Sequence, residues 1–160
     1  MHKLKATPPE PVKRPSRLSS HERVVLRELD SDNPLTRSAM LNIIKSSPKV
    51  LGFAVLHSQR PETREAAAQE IYDAEVLESI LGSTNDERVI DIVKSRLLEM
   101  IWHCESETLV ALASSRYPEL RAAAVDQMVA RKDTAGLGYI SVTSEYDDIR
   151  KLAQEQMFKV

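Results

Sequence analysis

Pro61-Glu62-Thr63-Arg64-Glu65-Ala66-Ala67-Ala68 returns further along the chain as Pro118-Glu119-Leu120-Arg121-Ala122-Ala123-Ala124-Val125. Two shorter copies share its frame, Pro34-Leu35-Thr36-Arg37 and Asp147-Asp148-Ile149-Arg150. Each copy begins with a residue suited to the first turn of a helix and reaches Arg three positions on. Proline is favoured there because its missing N–H would have been unpaired anyway. Three residues after each Arg stand Met40, Ala67, Ala124 and Ala153, and seven after it Ile44, Ile71, Met128 and Met157. Steps of three and seven fall on one face of an α-helix, so these eight side chains are expected to be core.

A fifth, degenerate copy has Ile90 in the Arg position and Val93 and Leu97 in the two core positions. The anchors are then 37, 64, 90, 121 and 150, separated by 27, 26, 31 and 29 residues. A period in that range marks stacked repeat architectures. Between the anchors lie shorter apolar segments. Ser47-Pro48 opens one with Val50, Leu51, Ala54 and Val55. Asp73 caps a second with Val76, Leu77, Ile80 and Leu81, and Leu109, Val110 and Ala113 form a third. Asp133 caps a fourth with Leu137 and Ile140. The unit reads as helix A, turn, helix B, turn. Ahead of it, Ser19 and Glu22 fit a capping box that opens a helix with Val25, Leu26 and Leu29 inward.

Neither helix of a unit can bury its apolar face alone, so neighbouring copies are expected to stack into one continuous core. The expected fold is all-α, a right-handed α-solenoid of about five short two-helix repeats over residues 19–160. The competing account, an irregular bundle, leaves the recurring Arg and its two core positions unexplained.

Composition agrees. Of 160 residues 42% are apolar but only 4% aromatic, and only four are Gly, a mixture suited to packed helices and poor in tight β-turns. Residues 1–18 read as a separate arm, with Pro8, Pro9, Pro11 and Pro15 among Lys3, Lys5, Lys13, Arg14 and Arg17. Such a segment buries too little to offset the entropy of ordering it, so disorder is expected. Within residues 1–20 five cations face Glu10 alone, a net +4; the whole chain carries −2, so the rest carries −6. Cys104 is the single cysteine, which excludes an intrachain disulfide and points to a reducing compartment. No apolar run is long enough to span a membrane, and prolines stand where a secretory signal needs its apolar region. A soluble cytoplasmic chain is expected.

The 61–68 and 118–125 stretches resemble the first helix of HEAT-like repeats, in which a Pro or acidic start, an Arg and small residues recur. The short period and the abbreviated second helix, as in Asp73-Ala74-Glu75-Val76-Leu77, resemble the leucine-rich-variant type of bacterial repeat. The resemblance covers about residues 30–157 and implies an architecture. It implies that Arg37, Arg64, Arg121 and Arg150 bind acidic groups and turn carbonyls of adjacent repeats, a structural duty. The third copy lacks both Pro and Arg, which puts regular stacking near residues 83–105 in question.

Signs of catalysis are sparse. His103-Cys104 is the one suggestive pair, but adjacent helical residues point about 100° apart. Glu105 and Glu107 lie near, yet no His stands three or four residues away as a zinc site needs. Gly136-Leu137-Gly138 lacks the Lys-Ser/Thr that completes a phosphate loop. HEAT-like folds include DNA glycosylases and bilin lyases, but an acidic body repels DNA. No catalytic residue, cofactor or metal is expected.

The segment 48–57 has almost no polar face, so either neighbouring repeats and the 20–29 helix cover it or Phe53 and Leu56 dock a partner. Tyr72, Trp102 and Tyr139 are further aromatic anchors, each equally readable as half-buried packing. The expected function is a non-enzymatic protein–protein interaction module or adaptor, with self-association open to it. The alternative is a nucleic-acid-associated regulator whose arm residues Lys3, Lys5, Lys13, Arg14 and Arg17 touch phosphates. That arm could also fold back on its own acidic body.

Overall fold

The computed structural model describes residues 18–159, and the arm residues Lys3, Lys5, Lys13, Arg14 and Arg17 lie outside them. The described residues form ten α-helices and no strand. In order they are α1 (Ser20–Leu29), α2 (Pro34–Ile44), α3 (Pro48–His57), α4 (Pro61–Gln69) and α5 (Ala74–Ser83). Then come α6 (Glu87–Met100), α7 (Ser106–Ala113), α8 (Pro118–Ala130), α9 (Thr134–Thr143) and α10 (Asp147–Met157). A short 3-10 turn, Ile101–His103, extends α6.

Helix starts follow the expected chemistry. Glu22 N–H donates to Ser19 Oγ at 3.1 Å, and Ser19 N–H donates to Glu22 Oε2 at 2.7 Å, completing the capping box. Asp73 accepts from Val76 N–H and Asp133 from Gly136 N–H. Prolines stand in the first turn of α2, α3, α4 and α8. α8 ends in a Schellman turn: Asp133 N–H donates to Met128 O, Lys132 N–H donates to Val129 O, and Lys132 itself has φ 56°.

Every extensive helix packing joins elements one or two apart in the chain. α1, α3, α5, α7 and α9 pack successively along one layer. α4, α6, α8 and α10 pack successively along the other, with α2 ahead of them and held chiefly by α1 and α3. The tight pairs are α1–α2, α3–α4, α5–α6, α7–α8 and α9–α10. The hairpin is therefore helix B then helix A, and α1 is the first helix of the first hairpin instead of an added cap.

The turns explain that phase. Arg37, Arg64, Arg121 and Arg150 each donate from Nη1 to the carbonyl six residues earlier, on Ser31, Ser58, Ser115 and Ser144, at 2.7, 3.0, 2.9 and 2.6 Å. The hydroxyls of these serines, and of Thr84 in the copy that lacks the Arg, accept the N–H two residues on. Each B-to-A turn is thus closed by a side-chain hydroxyl and, in four copies, latched by a guanidinium. In the phase read from the sequence, with helix A first, these serines close the preceding repeat, so the arginines bind turn carbonyls of an adjacent repeat; Arg64 also reaches an acid in the next hairpin, Asp86.

Seven of the eight core positions are at least half-buried: Ala67, Ala124, Ala153, Ile44, Ile71 and Met128 are buried and Met40 is intermediate. Met157 is 41% exposed, against expectation: among the described residues no helix packs over the last turn of α10. Val93 and Leu97 are fully buried, and α6 packs on α4, α5 and α8 as its place requires. Regular packing therefore continues through 83–105, with a longer α6 as the local departure. On α3, neighbours α1, α2, α4 and α5 cover Leu51, Ala54 and Val55 completely. Each fully buried Leu or Ile contributes about 1.5–3 kcal/mol relative to exposure.

Candidate interaction surface

Successive A helices carry small residues along the grooves between them. Ser38 on α2, Ala66 on α4 and Ser95 on α6 have little side chain to fill the space between cylinders, so grooves remain. The α2–α4 groove, about 280 Å³, is lined by Ser38, Leu41, Asn42 and Lys45 with Ala66 and Glu70 opposite. The α4–α6 groove, about 520 Å³, is lined by Gln69 and Glu70 with Asp91, Ile92, Ser95, Arg96 and Glu99 opposite. Glu70 belongs to both, so the grooves join into one face running over α2, α4 and α6.

That face is acidic at its centre. Three carboxylates, Glu70, Asp91 and Glu99, line the larger groove against one cation, Arg96. Arg96 is already engaged: Nη1 donates to Glu99 Oε2 at 2.9 Å, Nη2 to Ile71 O at 3.3 Å, and the guanidinium lies 4.1 Å from the Tyr72 ring centroid. Asp91 faces Lys94 at 3.4 Å, but the shorter contact of Lys94 is to Glu119 at 2.7 Å, on the α8 side. Among the described residues Glu70 forms no ion pair. Hydrogen bonding to Lys94 holds the Glu119 carboxyl below its ordinary value, and the same bond raises Lys94.

Tyr72 and Trp102, 71% and 67% exposed, follow the C-termini of α4 and α6 and border the same edge of the molecule. That edge collects the A-to-B connections, and arginines tie them together. Arg96 reaches Ile71 O, and Arg131 donates to the carbonyls of Ile101, Trp102 and Cys104.

The other sequence-predicted anchors lie elsewhere. Phe53 on α3 is half-buried with its ring tilted 51° against His57 at 4.7 Å, and Leu56 is half-buried against the core. Tyr139 on α9 is 58% exposed beside Val142, which the sequence reading passed over. Phe53 and Tyr139 both stand 11 residues before an anchor Arg, and Leu56 and Val142 both stand 8 before, so the two pairs occupy the same face of the repeat. α5 and α7 lie between them in the layer, so the pairs do not form one patch. Glu70, Asp91, Glu99 and Arg96 were also missed. Their positions relative to the anchors could have located them, but polar residues beside a groove look like any solvated face.

Cys104 is buried, its Sγ 3.5 Å from Met100 O, and burial pushes the thiol up, away from the reactive thiolate. His103 is exposed, as are Glu105 and Glu107. Among the described residues no group of three or more His, Cys, Asp or Glu is placed to hold a metal, and no helix is long and apolar enough to cross a membrane. Comparison with protein-family models, with curated proteins and with solved structures finds no match.

Proposed function

We propose that this chain is a non-enzymatic, cytoplasmic protein-binding module: a right-handed α-solenoid of five short HEAT-like hairpins that recognises a partner on its α2–α4–α6 face. The observation that carries this reading is the joined, acid-lined groove, whose lining residue Arg96 lies over the exposed ring of Tyr72. Packing limited to neighbours one or two apart supports the solenoid, since contacts around a single centre would link distant hairpins. Exposed aromatics beside a groove are the residue type that dominates interface energies. Inference from architecture to binding is an analogy with other helical-repeat proteins.

The experiment is affinity capture with the full chain as bait, followed by measurement of the captured protein against variants. Tyr72→Ala with Trp102→Ala, and Asp91→Lys with Glu99→Lys, should weaken a specific partner by tenfold or more, about 1.4 kcal/mol, while leaving the far-UV helical signal intact. Binding unaffected by these variants but lost with Phe53→Asp would move the site to the other layer and overturn this assignment.

The nucleic-acid reading rests on the five cations of residues 1–18 alone. A salt-titrated DNA and RNA binding assay on the full chain and on Lys13→Glu/Arg14→Glu separates it, since phosphate binding must fall steeply with salt.

A further inference from the structure

We propose that the flank of α2 turned away from α4 is a self-association surface, on which the same flank of a second copy packs antiparallel about a two-fold axis through Ala39. The later copies of the repeat define what this flank is. There the residue two before the anchor and the residues two and six after it face the preceding A helix. Arg88 reaches Glu65 of α4 at 3.5 Å, Glu119 binds Lys94 of α6 at 2.7 Å, and Arg96 donates to Ile71 O just beyond α4. Ala66 and Glu70 of α4 line the groove shared with α2. In α2 the same three positions are Leu35, Ala39 and Ile43, and no A helix precedes them among the described residues.

Composition on this flank is reversed. Where a preceding helix covers it, its outer two positions are Glu62 and Glu70, Arg88 and Arg96, Glu119 and Gln127, and Asp148 and Gln156. Where it is open they are Leu35 and Ile43, 79% and 67% exposed. A terminal repeat ordinarily turns a polar face outward, because nothing stacks on it. An apolar stripe on the open flank is the opposite arrangement, and such stripes mark sites of association.

Charge and spacing select a second copy as the occupant. From Asn33 to Pro48 the only charged residues are Arg37 and Lys45. Arg37 is spent on the carbonyls of Ser31 and Asp32, and Lys45 lines the α2–α4 groove on the other flank. The stripe offers no charge to an acidic or basic ligand, so its complement is another uncharged apolar stripe. The far end of the stack does not supply one. The positions that in α2 face α4 are, in and just after α10, Lys151, Gln154, Glu155 and Phe158.

The stripe is instead its own complement. Leu35, Ala39 and Ile43 are four residues apart and lie one above another on the helix. An antiparallel copy centred on Ala39 sets Leu35 of each chain against Ile43 of the other. The small side chain of Ala39 at the crossing lets the two axes close to about 8 Å. Two-fold pairing of identical patches is the commonest assembly of identical chains. Ser38, Leu41 and Asn42 stay uncovered on the other flank, so the pair would present the α2–α4 groove twice.

The test is sedimentation equilibrium of the full chain. One helix face buries less than the about 1,200 Å² of a stable interface, so a monomer–dimer equilibrium with Kd about 10–100 µM is expected. Leu35→Lys with Ile43→Lys should leave only monomer up to about 1 mM, because pairing would bury unpaired ammonium groups. Both side chains are exposed in the single chain, so the far-UV signal and thermal midpoint should persist, which separates lost pairing from lost fold. An unaltered chain that stays monomeric to about 1 mM overturns the proposal, as does a dimer indifferent to the lysine pair. Open-ended growth broken by Phe158→Asp would mean head-to-tail stacking and overturns it too.

A second measurement reads the geometry. Cys104 is buried, so a cysteine placed on the stripe is the accessible thiol. Under diamide, Ala39→Cys stands on the two-fold axis and should give a disulfide-linked dimer. Ile43→Cys stands four residues from the axis, so its two thiols lie roughly 12 Å apart along the helices and should not link. Equal linkage of the two variants, linkage of Ile43→Cys alone, or linkage of neither contradicts the antiparallel pair.

Discussion

Arg64 and Asp86 join two hairpins through one carboxylate that does two jobs. Nε and Nη2 of Arg64 both reach Asp86 Oδ2, at 3.0 and 2.8 Å, while Oδ1 of the same residue accepts the N–H groups of Arg88 and Val89 and so caps α6. The third donor, Nη1, holds Ser58 O in the α3–α4 turn. Arg64 is 7% exposed, so removing its partner strands a buried charge. Asp86→Ala should cost about 2–4 kcal/mol in urea unfolding, from the lost cap and the unpaired guanidinium together. Asp86→Asn keeps a cap acceptor and should cost clearly less. Arg64→Lys should not restore stability, because a single ammonium cannot bridge turn and carboxylate.

Lys132 occupies the left-handed position after α8, the place where a Cβ is strained and glycine is free. Lys132→Gly should stabilise the chain by about 0.5–1 kcal/mol, read as a rise in thermal midpoint. A fall would mean that the Lys132 side chain contributes more than its backbone strain costs.

The Lys94–Glu119 bridge joins α6 to α8 at 2.7 Å, under the Tyr117 ring, which lies 5.2 Å from Nζ. Glu119 is held below its ordinary 4.5, chiefly by the hydrogen bond from Lys94, so its contribution is present above pH 4.5 and is lost as pH falls through the folded-state value. Lys94 is raised above 10.5, so its side of the pair persists below that pH and fails only in stronger alkali. Both ends are partly exposed, so a double-mutant cycle with Lys94→Met and Glu119→Gln should give about 0.2–1 kcal/mol at pH 7, shrinking at pH 3.

Gly52 lets α3 and α5 approach closely. A Cβ there would sit 2.8 Å from Val76 Cγ1, and a β-branched side chain has few rotamers with which to yield. Gly52→Ala should gain about 1 kcal/mol of helix propensity and lose more to overpacking, so the net change is destabilising. Val76→Ala in the same chain should relieve the clash, a coupling that thermal unfolding of the cycle measures.

The repeat was legible because its signals are local. Arg at a fixed distance before two apolar positions needs only one helix to be seen, and the caps at Ser19, Asp73 and Asp133 follow from neighbours three residues apart. Ser31, Ser58, Ser115 and Ser144, six residues before each Arg, were equally visible yet carried no meaning until the guanidinium was seen on their carbonyls. The same offset finds Thr84 before Ile90, which marks the degenerate third copy as a true member. Hairpin phase was not legible, since it depends on which of two similar turns is latched. The groove was hidden for a different reason: Glu70 and Asp91 come together only when successive A helices lie side by side, and nothing in either helix alone distinguishes that flank from open solvent.

A chain of hairpins whose extensive contacts, among the described residues, are with their neighbours is expected to fail locally. Leu137 on α9 is fully buried, and Leu137→Ala should leave a cavity costing about 2–5 kcal/mol. Native-state hydrogen exchange is the direct measurement. The stacked arrangement predicts faster exchange in α7 through α10 and unchanged protection in α3 and α4. An equal loss of protection from α1 to α10 would mean one shared core, and would contradict the linear stack on which the binding face depends.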